Sequence, residues 1–263
     1  MGAIKNNLMI FPKGNPENIS LIFVHGFPFD HNMWDKQVTA LSSAYYCVTY
    51  DLRGLGKSPA GDGQYTMEMF AEDIINIIDE NRMRKPVLCG LSMGGYIALR
   101  TIEKSENLFK ALILCDTKSS ADDNETKIKR ADSIRKINNL GVKEYVSEFI
   151  PNCFAQKSIT KLGEEYNEIL ERSSQFSSTG VKGCLLAMAA RTDTTPNLSK
   201  IKIPTLLICG EEDKLTPPGI MEGMAGKLSN SEFHIIPGAG HISPLEAPSV
   251  VNRIIKEFLL KKV

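Results

Sequence analysis

Ser92 stands in Gly90-Leu91-Ser92-Met93-Gly94-Gly95. An apolar run, Lys85-Pro86-Val87-Leu88-Cys89, precedes it, and Tyr96 to Arg100 follows at helical period. G-x-S-x-G between a strand and a helix is the pattern of a nucleophile elbow. The turn is sharp enough that a side chain at 90 or 94 would collide with neighbouring backbone, which accounts for the glycines. The amides opening the next helix favour the negative charge that builds up in acyl transfer. A serine hydroxyl is a weak nucleophile at neutral pH and needs a base to take its proton, with an acid behind that base.

Asp213, in Gly210-Glu211-Glu212-Asp213, follows the apolar run Thr205 to Gly210 and is the expected acid. Glu211, Glu212 and Asp116 compete with it by position. Of four histidines, His241 lies in the loop Gly238-Ala239-Gly240-His241-Ile242-Ser243-Pro244 after the last apolar run, and is the expected base. His234 falls inside a strand, His31 reads as a surface residue, and His25, beside Gly26, reads as a loop-shaping residue. The order Ser92, Asp213, His241 is the nucleophile–acid–base order of one hydrolase architecture. The oxyanion needs two donors, and the amides of Met93 and Phe27 are placed to serve. Gly56-Lys57-Ser58 imitates the end of a phosphate-binding loop, but the glycine that pattern requires five residues earlier is Asp51.

These residues need elements to carry them. Ser20–Val24, Tyr45–Tyr50, Ala111–Asp116 and Thr205–Gly210 are continuous apolar runs, as expected of strands buried on both faces. Leu8–Phe11 reads as a short first strand and Glu232–Ile236 as the last. Helical spacing covers Met33–Leu41, Thr66 to about Asn81, and Pro248–Leu260. Strands alternating with helices predict a doubly wound, mostly parallel α/β sheet, whose ligands bind at the carboxyl ends of the strands. His25, Asp51 and Ser92 all fall at such ends. From Ser119 to Lys200 the alternation stops. Helical patterns at Ala131–Leu140, Val142–Ile150, Lys161–Ser173 and Val181–Arg191 arrive with no strand between them. We expect residues 1–118 and 201–263 to form the core and residues 119–200 an inserted helical lid. Trp34, Phe149, Phe154 and Met188 are the expected substrate-pocket residues, with Phe27 and Met93, and Phe176 and Leu186 are further candidates.

The bulk numbers bound the partners. Among 263 residues, 31 are basic and 31 acidic, so no general attraction to nucleic acid or an anionic surface is expected. No stretch approaches the roughly 20 apolar residues of a membrane span. The first residues lack the pattern of a secretory signal. Six cysteines, mostly in apolar runs and without a C-x-x-C pair, fit a reduced compartment and give no zinc or redox motif. A cytoplasmic location without metal or cofactor is the expectation.

Taken together, His25-Gly26-Phe27, Asp51-Leu52-Arg53-Gly54-Leu55-Gly56-Lys57-Ser58, the Ser92 elbow, Gly210-Glu211-Glu212-Asp213 and Gly240-His241 resemble the α/β-hydrolase superfamily. The elbow is similar to those of carboxylesterases and 3-oxoadipate enol-lactonases. The resemblance implies a Ser92–His241–Asp213 triad, oxyanion donors at Phe27 and Met93, no cofactor, and a small, fairly apolar ester or lactone as substrate. Serine at 92 departs from the branches that use an aspartate nucleophile. Leu91 departs from many carbon–carbon bond hydrolases, which carry asparagine there. Some members keep the triad as ligand receptors with little turnover, and peroxide can replace water on the same triad. Both readings stay open at this level.

Overall fold

A computed structural model describes residues 3–5 and 8–263. Eight strands form one sheet in the order β1-β2-β4-β3-β5-β6-β7-β8. They are β1 (Ala3–Lys5), β2 (Leu8–Lys13), β3 (Ser20–Val24), β4 (Tyr46–Tyr50), β5 (Val87–Leu91), β6 (Ala111–Cys115), β7 (Thr205–Gly210) and β8 (Ser231–Ile236). β1 pairs antiparallel with β2, and β2 antiparallel with β4; every later pairing is parallel. The strand at residues 3–5 adds an edge that the sequence pattern did not give. β3, β5, β6 and β7 are buried at every position, as continuous apolar runs require. The strand order reverses between β3 and β5. The chain therefore opens a crevice at the carboxyl ends of these two strands, where loops lead off in opposite directions.

Helices cover both faces of the sheet. α1 (Asp35–Leu41) follows a 3₁₀ turn at His31–Trp34. α2 (Met67–Glu80) is capped by Thr66, whose side chain accepts from the Met69 amide, and buries Phe70, Ile74, Ile77 and Ile78. α3 (Met93–Ser105) starts at the elbow. Between β6 and β7 lie α4 (Asn124–Phe149), α5 (Gln156–Leu162), α6 (Glu164–Ser174) and α7 (Ser178–Ala190). α4 is broken at Gly141, whose φ of 87° no helix accommodates. It begins earlier than the apolar pattern indicated because the Asp123 side chain accepts from the Thr126 amide at 2.8 Å. The expected single helix at 161–173 is two helices, parted by Gly163 at φ 53°. α8 (Pro218–Ala225), α9 (Ser243–Glu246) and α10 (Pro248–Lys262) complete the chain.

Two contacts seat the helices between β6 and β7 on the rest of the molecule. α7 lies so close to the loop after β4 that a Cβ at Gly180 would run into the Gly54 backbone. Asp122, just before α4, is fully buried as a side chain. It pairs with Arg130 of α4, with Arg191 at the end of α7 (2.8 Å), and with Lys118 after β6 (3.4 Å). One carboxylate thus ties together both ends of the segment. Arg191 also stacks its guanidinium 4.1 Å above the Tyr96 ring of α3. No helix among the described residues is long and apolar enough to cross a membrane.

Candidate active site

The elbow forms because its glycines let three stretches of backbone meet. A Cβ at Gly90 would run into the Gly94 carbonyl, and a Cβ at Gly94 into that of Val24. Ser92, between them, has φ 54° and ψ −114°, a conformation that L side chains rarely adopt. Surrounding bonds hold it there. Its amide donates to Cys115 O at 3.0 Å, and its carbonyl accepts from Gly95 N at 2.9 Å and Thr117 Oγ1 at 2.7 Å. The side chain is half-buried and points into a cavity.

His241 reaches it from the loop after β8. His241 Nε2 lies 2.8 Å from Ser92 Oγ, and His241 Nδ1 lies 2.8 Å from Asp213 Oδ2. An Nδ1–H donating to Asp213 leaves Nε2 free to accept from the serine hydroxyl. Asp213 is fixed by its own turn: Leu215 N and Thr216 N donate to Oδ1, and Thr216 Oγ1 donates to Oδ2 at 2.7 Å. Burial pushes the Asp213 carboxyl up. The charge and hydrogen bond of His241, with the Thr216 bonds, outweigh burial and leave it below the ordinary carboxylate range. Thr216 is a site residue that the sequence reading missed; its signal was a hydroxyl three residues past the acid in a tight turn. The His241 loop rests on the segment before α5. His241 N donates to Cys153 O at 2.9 Å, and Glu246 accepts from Gly240 N and Ala155 N.

The competing candidates go elsewhere. Asp116 is buried and accepts from Gly210 N, Ser243 N and Ser243 Oγ. Burial and the neighbouring Asp213 charge raise its carboxyl well above the usual range, against those bonds. Glu211 and Glu212 are exposed. His25 is fully buried, with Nδ1 donating to Gly26 O and Nε2 accepting from Leu52 N, so it does hold the loop as expected. His31 departs from expectation. It is not a free surface residue: it stacks on Phe11 at 3.5 Å and pairs with Asp51 at 2.7 Å. His234 sits in β8, paired beside Ile208.

Phe27 and Met93 flank the serine. A Cβ on Gly26 would lie 3.3 Å from the Ser92 Cβ, so the loop after β3 passes directly beside the nucleophile position. Neither the Phe27 nor the Met93 backbone N–H has a hydrogen-bond partner among the described residues, although both side chains are buried. The cavity over Ser92 has a volume of about 330 Å³. Phe27, Tyr145, Phe149, Leu185 and Met188 give it apolar and aromatic lining. Phe149 and Met188, two of the residues proposed for the pocket, line this cavity. Trp34 does not: it is fully buried, against Phe23 of β3 at 5.2 Å. Phe154 packs edge-on against Tyr166 at 5.3 Å, behind the His241 loop rather than in the cavity. Phe176 is buried elsewhere, and Leu186 is exposed on the outer face of α7. The lining nevertheless departs from a fairly apolar pocket, because Lys118, Lys129, Arg130 and Lys214 belong to it as well. The signal in the sequence was proximity for two of them: Lys214 follows Asp213, and Lys118 follows Thr117, whose hydroxyl donates to the Ser92 carbonyl.

Among the described residues, Asp116, Cys209 and Asp213 bring three metal-capable groups within 4.8 Å of one another. Protein partners already occupy them: the Asp116 and Asp213 carboxylates accept the bonds given above, and the Cys209 thiol donates toward Thr216 O and Gly210 O.

A sheet of this order, with a serine at an elbow after β5 and a histidine after β8, defines a class of hydrolase. The family model described as alpha/beta hydrolase fold matches residues 19–248. The chain belongs to this family. It is 28% identical to 3-oxoadipate enol-lactonase 1 of Acinetobacter baylyi over 245 residues, 93% of this chain and 90% of that one. Among solved structures, a thermophilic esterase from Thermogutta terrifontis, with malate bound, superposes with a TM-score of 0.92 at 34% identity, over 97% of this chain and 93% of that one. An enol-lactonase from Burkholderia xenovorans shares the fold, with a TM-score of 0.91 at 23% identity over 99% and 100% of the two chains.

Proposed function

We propose that the protein is a serine hydrolase that cleaves a small carboxylic ester or lactone through an acyl-enzyme. The observation that carries the reading is the line of two 2.8 Å contacts, Ser92 Oγ to His241 Nε2 and His241 Nδ1 to Asp213. Ser92 Oγ attacks the acyl carbon while His241 Nε2 takes its proton, and Asp213 stabilises the imidazolium. The carbonyl oxygen becomes an oxyanion and takes hydrogen bonds from the amides of Phe27 and Met93. The intermediate collapses, the C–O bond to the alcohol breaks, and the leaving oxygen takes the proton from His241. Water then attacks the acyl-serine and gives a proton to His241. The acid departs, and the proton returns to Ser92 Oγ. In a lactone the leaving oxygen stays tethered, and a single hydroxy- or oxo-acid is released. The likeness to an esterase and an enol-lactonase supports both substrate types.

Residues 119–200 serve as the lid in this reading, with residues 1–118 and 201–263 as the core. Tyr145, Phe149, Leu185 and Met188 of that segment wall the cavity over Ser92. We place the reaction in the cytoplasm, since all six cysteines are unpaired thiols.

The test is hydrolysis of p-nitrophenyl esters of rising acyl length, wild type beside Ser92→Ala. Saturable turnover that falls at least about 10⁴-fold in the variant, with the fold intact by circular dichroism, is the expected result. A folded wild type that neither turns over nor reacts with a serine-directed phosphonate would overturn the reading and leave the receptor alternative.

A further inference from the structure

Ser92, Asp213 and His241 are not held alike. The main chain at Ser92 is bonded to β6 and α3, and Asp213 is held by its own turn. The His241 loop leans on two different parts of the molecule. The Ala239 carbonyl accepts from Glu212 N at 2.8 Å, and the Ser243 amide and hydroxyl donate to Asp116, so the ends of β6 and β7 grip the loop on either side of the base. The three amides between these grips go elsewhere. Gly240 N donates to Glu246 Oε1 at 2.9 Å, and Ile242 N to the same oxygen at 3.2 Å. His241 N donates to Cys153 O at 2.9 Å. Glu246 Oε2 then reaches across and accepts from Ala155 N, also at 2.9 Å, where the chain enters α5. One carboxylate, only 4% exposed, brackets the base and joins it to the segment between β6 and β7.

The contact is close. A Cβ at Gly240 would lie 2.4 Å from Ala155 N and 3.0 Å from Glu246 Oε1, so no side chain fits between the loop and the segment. Cys153 is packed into the same place: burial first, and then the charges of Asp213 and Glu246, raise its thiol well above the usual range. A carboxylate that merely shaped the loop would need only the amides of Gly240 and Ile242. The bond from Ala155 adds a second job. Parting the segment from the loop strips acceptors from the amides of Ala155 and His241, and buried amides left without acceptors are costly. Ser92 and Asp213 have no such bond to residues 119–200 among the described residues, so movement of that segment reaches the triad through its base.

We infer that Glu246 is the positioning residue of the general base and fastens it to the start of α5, so that His241 lies in line with Ser92 only while residues 153–155 are seated. The inference rests on the serine-hydrolase reading and adds to it a residue that touches neither substrate nor reacting atoms. Lifting the segment to admit substrate then disarms the base, and the reaction waits until the segment returns.

Glu246→Gln tests this. Glutamine keeps the shape but brings one acceptor oxygen and an NH2 group, so it can serve the loop or Ala155 but not both. On a p-nitrophenyl ester, kcat should fall at least about tenfold while KM changes less than about threefold, because the cavity lining is untouched. Labelling by a serine-directed phosphonate should slow in step. Hydrogen exchange read by mass spectrometry should quicken over 153–156 and 238–243 together and stay unchanged over the Ser92 elbow. A smaller fall in kcat would overturn the positioning role, and faster exchange in only one of the two stretches would overturn the tie. If the variant does not fold, exchange in wild type decides. The protection of the Ala155, Gly240 and Ile242 amides should then agree within about threefold, and a wider spread overturns the inference. A wild type that turns over no ester fails the hydrolase reading instead, and the exchange of Glu246→Gln still decides the tie by the same two outcomes.

Discussion

Ser92 shows what a single residue contributes and what it costs. Its left-handed φ of 54° is held by hydrogen bonds to both its backbone N–H and its C=O, and glycines on both sides make room for it. Such a conformation costs on the order of 1–3 kcal/mol for a residue with a Cβ. Glycine would relieve that strain and lose about 1 kcal/mol to the freer unfolded chain. Ser92→Gly is therefore expected to raise stability by about 1 kcal/mol while abolishing turnover, read as a shift in the urea midpoint. A lowered midpoint would mean that the serine conformation is not strained. The residue was legible in the sequence because the elbow is local: every group that shapes the turn lies within a few positions of it. Asp213 was legible only by position, because what distinguishes it from Glu211 and Glu212 is its turn. Leu215 N, Thr216 N and Thr216 Oγ1 converge on its carboxylate, while the two glutamates face solvent.

Among the elements, the segment between β6 and β7 depends on one buried carboxylate. Asp122 joins Lys118, Arg130 and Arg191, which come from before α4, from α4 and from the end of α7. Replacing it with asparagine leaves buried Arg191 without its partner, a loss expected to be about 3–5 kcal/mol. The pH dependence follows from the direction of its shift. Burial raises the Asp122 carboxyl, but the Arg130 and Arg191 contacts outweigh it and leave it below the ordinary range. In the unfolded chain the group sits near pKa 4 and takes up a proton sooner. Its contribution is thus present above about pH 4 and lost as pH falls through the folded value. Urea midpoints of wild type and Asp122→Asn should differ most at pH 7 and converge toward pH 3. A gap that stays constant would show that the carboxylate charge is not what holds the segment. The helices here are legible without their breaks: Gly141 and Gly163 interrupt α4 and separate α5 from α6, and the apolar period reads across both. α8 escaped notice because Gly219 and Gly223 dilute its apolar face.

Taken as a whole, the molecule was legible where burial is uniform and less so where function departs from it. β3 and β7 follow their apolar runs residue for residue, since a strand covered on both faces has no reason to alternate. The pocket residues were harder. Trp34 and Phe154 are large and apolar and lie near the site in sequence pattern, yet they serve the core, whereas Lys118 and Lys214 line the cavity. Zero net charge over the whole chain hid a local excess of cations around the cavity, because formal charge sums over distances that screening makes irrelevant.

The six buried thiols turn the chain into its own reporter of opening. Cys47, Cys89, Cys115 and Cys209 lie on β4, β5, β6 and β7, while Cys153 and Cys184 lie between β6 and β7, the latter on α7. Burial pushes the Cys47 thiol up to about 12 and the Cys184 and Cys209 thiols higher still, so the native state should resist alkylation. Alkylation timed by peptide mass spectrometry then reads which region opens first. If the segment lifts as a unit, Cys153 and Cys184 should react at least about tenfold faster than Cys89 and Cys115. One common rate for all six would mean that the site is uncovered only when the whole fold comes apart.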